Sequence, residues 1–138
     1  MKLIHYGNNK YDSGLFLPIE NLLLRNKPKG GLWTSPINSN YGWKEWTIDN
    51  AFMEHPLYFE LELKDSAKIL RIDSIEDLKE LTWIDTEYLP YIDFEALDYD
   101  AIWLTESGLW SCTSYDIGRD LYGWDVETVL ILNKEVIR

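Results

Sequence analysis

Four groups of residues in this 138-residue chain could do chemistry. A histidine lies near the amino end in Ile4-His5-Tyr6-Gly7, and a Gly-Gly-Leu-Trp-Thr-Ser-Pro run follows from Gly30 to Pro36. Tyr41, Trp43 and Trp46 come next, and Asp125-Val126-Glu127 stands near the carboxyl end. An imidazole and paired hydroxyls can hydrogen-bond the oxygens of a sugar, aromatic faces can stack on a flat ring, and a carboxylate can meet positive charge as it develops. Each group also has a plainer reading. A histidine on a short apolar strand is commonly a hydrogen-bonded structural residue. Thr34 and Ser35 before Pro36 can end a strand through side-chain to backbone bonds. Trp43 and Trp46 share a helix face and fit a core, and Glu127 fits an exposed strand start.

Several standard sites lack their anchors. No G-x-G-x-x-G, G-x-x-x-x-G-K-[ST], H-E-x-x-H, C-x-x-C or G-x-S-x-G occurs. With His5, His55 and Cys112 as the borderline or soft ligands, no metal site is expected. Cys112, close to Trp110, reads as a small buried hydrophobe rather than a nucleophile. Carboxylate pairs such as Asp98 with Asp100, or Glu60 with Glu62, are uninformative in a chain with 24 acidic residues and read as solvated positions.

Taken in order, the His strand, the aromatic-Thr-Ser strand, the aromatic helix and the late acidic residue resemble the ADP-ribosyltransferase superfamily. The resemblance covers the layout of most of the chain. It implies a single domain over 1–138 with a curved or split, mostly antiparallel sheet that clamps NAD as substrate. Glu127 would stabilise the oxocarbenium-like centre formed when the nicotinamide bond breaks, with Asp125 as the alternative carboxylate. The implied NAD-contacting set is His5, Tyr6, Thr34, Ser35, Tyr41 and Trp43. His5 would bond the ribose, Ser35 or Thr34 would orient Glu127, and Tyr41 or Trp43 would stack on nicotinamide. Trp33 replaces the first Ser of the second-strand motif, and Asp125 stands where transferases acting on arginine carry another Glu.

The elements that must position these residues can be read from pattern. Lys2 to Tyr6 predicts a strand ended by Gly7-Asn8-Asn9. Pro18, Ile19, Leu22 and Leu23 predict an amphipathic helix, stopped by Lys27-Pro28-Lys29-Gly30-Gly31. Leu32 to Ser35 predicts a strand. Asn38-Ser39-Asn40 supplies an N-cap to a helix carrying Trp43, Trp46 and residues on to Phe52. Leu57 to Lys64 alternates apolar and polar residues, a half-buried strand, and Ala67 to Ile72 reads as its hairpin partner. Asp73 or Ser74 begins a short helix through Leu81 with a capping box, and Asp93 caps a briefer one. Ala101 to Thr105 is a buried strand, Glu106 to Tyr122 is loop-like, and Glu127 to Asn133 is the last strand. This order is neither a clean βαβ alternation nor all-β, so an α+β domain is expected.

Composition bounds the partners. Hydrophobic residues at 46%, with seven Trp and nine Tyr, are enough to fold a core and far from a disordered composition. A net charge of −11 disfavours nucleic acid and anionic lipid, although Lys27 to Lys29 could meet a mononucleotide. One cysteine excludes an intrachain disulfide, and no run suits a signal peptide or membrane span, so cytoplasmic residence is expected. Two other function classes stay open beside NAD-dependent ADP-ribosyl transfer or NAD hydrolysis. One is a non-catalytic module that holds a nucleotide or a protein in an aromatic cleft. The other is an acidic interaction or inhibitor protein.

Overall fold

The Val, Leu and Ile run near the carboxyl end sits in the middle of the molecule because both faces of that strand are buried. In a computed structural model, which describes residues 1–49, 57–113 and 120–138, with the side chains of 47–49 outside that description, this strand is β9 (Thr128–Ile131). Val129 and Ile131 enter one core with Leu3, Leu32, Phe59 and Leu63. Leu130 enters the other with Ile72, Ile102, Leu104 and Trp124. An apolar run without alternation is what such two-sided burial requires.

The sheet is built from β1 (Lys2–Tyr6), β2 (Leu17–Glu20), β3 (Lys29–Pro36), β4 (Tyr58–Glu62), β5 (Ile69–Ile72), β8 (Ala101–Leu104) and β9. Its strand order is β4-β1-β3-β9-β8-β5, with β2 joined to β3. All pairings are antiparallel except β5 with β8. A separate hairpin joins β6 (Trp83–Ile84) to β7 (Tyr91–Ile92). Among the described residues the helices are α1 (Trp43–Asp49), α2 (Glu106–Cys112) and four 3-10 turns. The chain is a small single-domain α+β protein with a mostly antiparallel sheet, as the element order predicts.

β3 carries three partners. Its first residues pair with β2, as in Leu17 with Gly31, and its last with β1, as in Ile4 with Ser35. Leu32, Trp33 and Thr34 pair with β9. Gly30 makes the close approach of β2 feasible, because its φ is +85° and a Cβ there would stand 2.1 Å from the Pro18 carbonyl oxygen.

Several expectations hold. β1 spans the predicted residues, and β4 and β8 fall inside their predicted segments. The 3-10 turn Ile75–Glu80 carries a reciprocal Ser74 and Asp77 capping box, and the Asp93 side chain accepts from Ala96 N. α1 starts at Trp43; the expected continuation beyond 49 lies outside the described residues.

Other expectations are corrected. The helix expected from Pro18 is the strand β2. It lies at an edge, where a proline's missing N–H costs no ladder bond, and Leu22 and Leu23 face solvent instead of a core. Ala67 to Ile72 is not the hairpin partner of β4: β4 pairs with β1, and β5 runs parallel to β8 after a long crossover. The loop expected from Glu106 contains α2, N-capped by Thr105, whose Oγ1 accepts from Gly108 N at 3.1 Å. Gly108 is there for contact, since a Cβ would meet the Ile72 carbonyl oxygen at 2.1 Å. Finally, β9 begins at Thr128, so Asp125 and Glu127 precede it on a bent segment. Asp125 is exposed while Glu127 is 8% exposed.

Candidate functional site

Glu127 is the most constrained of the nominated residues. Its carboxylate accepts from Ser39 Oγ at 2.7 Å through Oε1 and from the Trp103 indole Nε1 at 3.0 Å through Oε2. Its backbone is held as well: Glu127 N–H donates to Tyr41 O at 2.9 Å, and Glu127 O accepts from Ser35 Oγ at 2.9 Å. Four bonds therefore tie one residue to β8, to β3 and to the segment before α1. The expectation of an exposed strand-start glutamate is overturned by this burial.

Ser35 also accepts from Trp43 N at 2.9 Å, so its hydroxyl bridges the entry of β9 and the first turn of α1. Thr34 Oγ1 donates to Val129 O at 2.7 Å. Both residues are buried, at 0% and 1% exposure, and both hydroxyl protons go to backbone carbonyls. Ser35 does steady the Glu127 backbone, as the resemblance implies, but the hydroxyl that reaches the Glu127 carboxylate belongs to Ser39.

His5 occupies a gap in the ladder. Between the β2-paired and β1-paired ends of β3, the Trp33 carbonyl is met by an imidazole: His5 Nδ1 donates to it at 2.7 Å. Nε2 stands 3.3 Å from Asn8 Oδ1, and the ring packs on Phe59 with centroids 5.0 Å apart. The pairings of Leu3 with Pro36 and Thr34 with Val129 put His5, Thr34 and Glu127 on one face by alternation. Strand β3 separates the two, about 10 Å of lateral spacing at about 4.8 Å per strand. The imidazole turns to β3 and the carboxylate to β8. The structure thus joins Ser35, Tyr41, Trp43 and Glu127 through direct bonds and leaves His5 in a separate set of contacts.

Tyr6 lies on the other face, beside Tyr58 at 5.8 Å between rings. Burial pushes its phenol above the ordinary value of 10.0, with Glu45, Tyr58 and Glu60 adding to the effect, so it stays protonated and able to donate. Trp43 contacts Trp33 at 6.3 Å and Trp46 at 5.5 Å, and Trp33 contacts Trp124 at 5.0 Å, all edge-on. Tyr41 lies 6.2 Å from Trp110, which is 68% exposed. A large indole left in solvent beside a half-buried phenol is the clearest aromatic surface for a flat ring. Trp103 also lines a pocket of about 630 Å³, with Lys2, Asn38 and Glu60 on its walls.

Reading the sequence missed Ser39, Trp103 and Trp110 as site residues. Ser39 had a signal as a helix-cap type before Trp43, but its reach to Glu127 spans 88 positions and leaves no local trace. Among the described residues no three His, Cys, Asp or Glu gather into a metal-binding group, and no helix is long and apolar enough to cross a membrane. Set against protein-family models, curated proteins and solved structures, the chain finds no match.

Proposed function

We propose that the protein is a non-catalytic binding module that holds the flat ring of a nucleotide such as NAD on the Tyr41 and Trp110 surface. One observation carries this reading. His5, Thr34, Ser35 and Glu127, side chains nominated for work on NAD, each hydrogen-bond within the fold, while Trp110 is 68% exposed beside Tyr41. Stacking tolerates any planar ring, and Tyr41 supplies a second face.

The second reading is NAD-dependent ADP-ribosyl transfer, or NAD hydrolysis, on a fold of the ADP-ribosyltransferase type. It is favoured by the Glu127 carboxylate itself, buried, fixed by two donors and one residue away from a pocket through Trp103. A carboxylate held rigid in this way can stabilise an oxocarbenium-like centre without reorganising. Here Glu127 acts, with Asp125, exposed two residues before it, as the alternative carboxylate.

Incubation with NAD separates the two, with free nicotinamide and thermal stability followed together. Saturable stabilisation without nicotinamide release, reduced in Trp110→Ala, supports the module. Nicotinamide release that disappears in Glu127→Gln supports the transferase and overturns the module. No response to NAD or to other nucleotides overturns both and leaves an acidic interaction protein.

A further inference from the structure

Asp120 is 2% exposed, yet its Oδ2 has no hydrogen-bond partner. Its other oxygen accepts from Tyr122 N at 3.1 Å. The neighbouring Asn26 repeats the pattern: Nδ2 donates to Asp120 O at 2.6 Å and Asn26 O accepts from Trp124 Nε1 at 2.6 Å, but the buried Asn26 Oδ1 accepts from nothing. Two buried acceptors without donors are costly, and one is a carboxylate.

Both residues line one pocket of about 570 Å³. The size suits a small ligand. Leu23, Leu24, Leu89 and Tyr122 form its apolar rim and are 75%, 44%, 49% and 61% exposed. Leu24 is also the one described non-glycine residue with positive φ, at 58°, so the rim is held in an uncommon backbone conformation. Arg25 and Lys27 complete the wall, and neither supplies the missing donor: Asp120 Oδ2 stays unpartnered while the Lys27 ammonium lies 5.8 Å over the Trp33 ring.

We infer that this pocket binds a small zwitterion, an α-amino acid with an apolar side chain. Its ammonium seats on Asp120 Oδ2 and Asn26 Oδ1, which are closed to water in the free chain and are uncovered on binding, its carboxylate meets Lys27 and Arg25, and its side chain covers the leucine and tyrosine rim. A bare basic side chain fits less well, because it leaves the two wall cations unanswered. A simple anion fits less well, because it leaves the buried acceptors without donors. The site is separate from the Tyr41 and Trp110 surface, so this inference does not rest on the nucleotide reading.

Calorimetric titration with L-phenylalanine and L-leucine tests it, alongside phenethylamine, 3-phenylpropionate and an acetyl-Leu-Arg-Leu-amide peptide. Saturable binding of the free amino acids is expected, at least tenfold weaker for either singly charged analogue and for Asp120→Asn or Lys27→Met, and unchanged in Trp110→Ala. A second measurement stands without ligand. Asp120→Asn keeps the acceptor for Tyr122 N and removes an unpaired buried charge, so its thermal midpoint rises above that of the native chain. Absence of amino-acid binding, binding unaltered in Asp120→Asn, tighter binding of the capped peptide, or a lowered ligand-free midpoint in Asp120→Asn each overturns the proposal.

Discussion

Replacing Glu127 by Gln measures whether this residue serves the fold or strains against it. The carboxylate takes one bond from Ser39 Oγ and one from Trp103 Nε1, in a site only 8% exposed, so solvent screens it little. A hydrogen bond to a charged group contributes about 1.5–3 kcal/mol. Gln keeps one acceptor oxygen without charge and turns an NH2 toward the other donor, so one charge-assisted bond is lost and the second weakened. The expected cost is about 2 kcal/mol. With unfolding entropy of about 2.1 cal/mol/K per residue, a chain of this length loses about 7 °C in midpoint. Urea titration at pH 7 reads the free energy and calorimetry the midpoint. A double-mutant cycle with Trp103→Phe isolates the indole bond, and a coupling of about 1 kcal/mol is expected for residues in direct contact. A Glu127→Gln chain as stable as the native one, or more stable, refutes the reasoning. It would mark Glu127 as a group held against its preference, which is the mark of a working carboxylate.

Further outcomes follow from other contacts. Gly108→Ala places a methyl 2.1 Å from the Ile72 carbonyl oxygen and should cost more than about 3 kcal/mol or prevent folding, read by denaturant titration or soluble yield. Trp124→Phe removes the bond to Asn26 O and part of a residue 1% exposed, for a loss of about 2–4 kcal/mol by the same titration. The Thr105 hydroxyl, with Arg71 adding, holds the Asp73 carboxyl below its ordinary 3.8, and the Lys68 N–H and Asn133 amide do the same for Asp100. Both groups are depressed in the folded state, so their stabilisation is present above pH 3.8 and is lost as pH falls through the folded values. Thr105→Val should flatten the acid limb of stability against pH. Burial pushes the Cys112 thiol up, so it should resist a thiol reagent in the native protein and react on unfolding.

Local chemistry in the sequence marked the elements whose cause is local. The Ser74 to Asp77 capping box, the Asp93 cap and the unbroken apolar run of β9 each depend on neighbours within a few positions. The failures share a different cause. Ile19, Leu22 and Leu23 after Pro18 have helical spacing, but Gly30, twelve positions beyond Pro18, admits Leu17–Glu20 to the edge of β3. Gly108 looks like a loop residue until the backbone of β5 is laid against α2. The site was legible in part: Ser35 and Glu127 do meet, through hydroxyl and carbonyl. The gap between β1 and β2 that draws the His5 imidazole onto Trp33 O is a property of sheet pairing, which no local pattern encodes, and the same holds for Ser39 and Trp103.

The position of β9 carries a consequence for how the molecule assembles. With residues 128–131 removed, the strand order divides into β4, β1, β3 and β2 on one side and β8 with β5 on the other, and no strand ladder joins the two. During synthesis the first 127 residues can pair strands within each group but lack the strand that joins the two ladders, and the edges of β3 and β8 that face it wait unsealed. Folding should therefore arrive late and all at once, in the slow regime of long-range pairing, and a chain stalled before that strand emerges is the form most prone to aggregate.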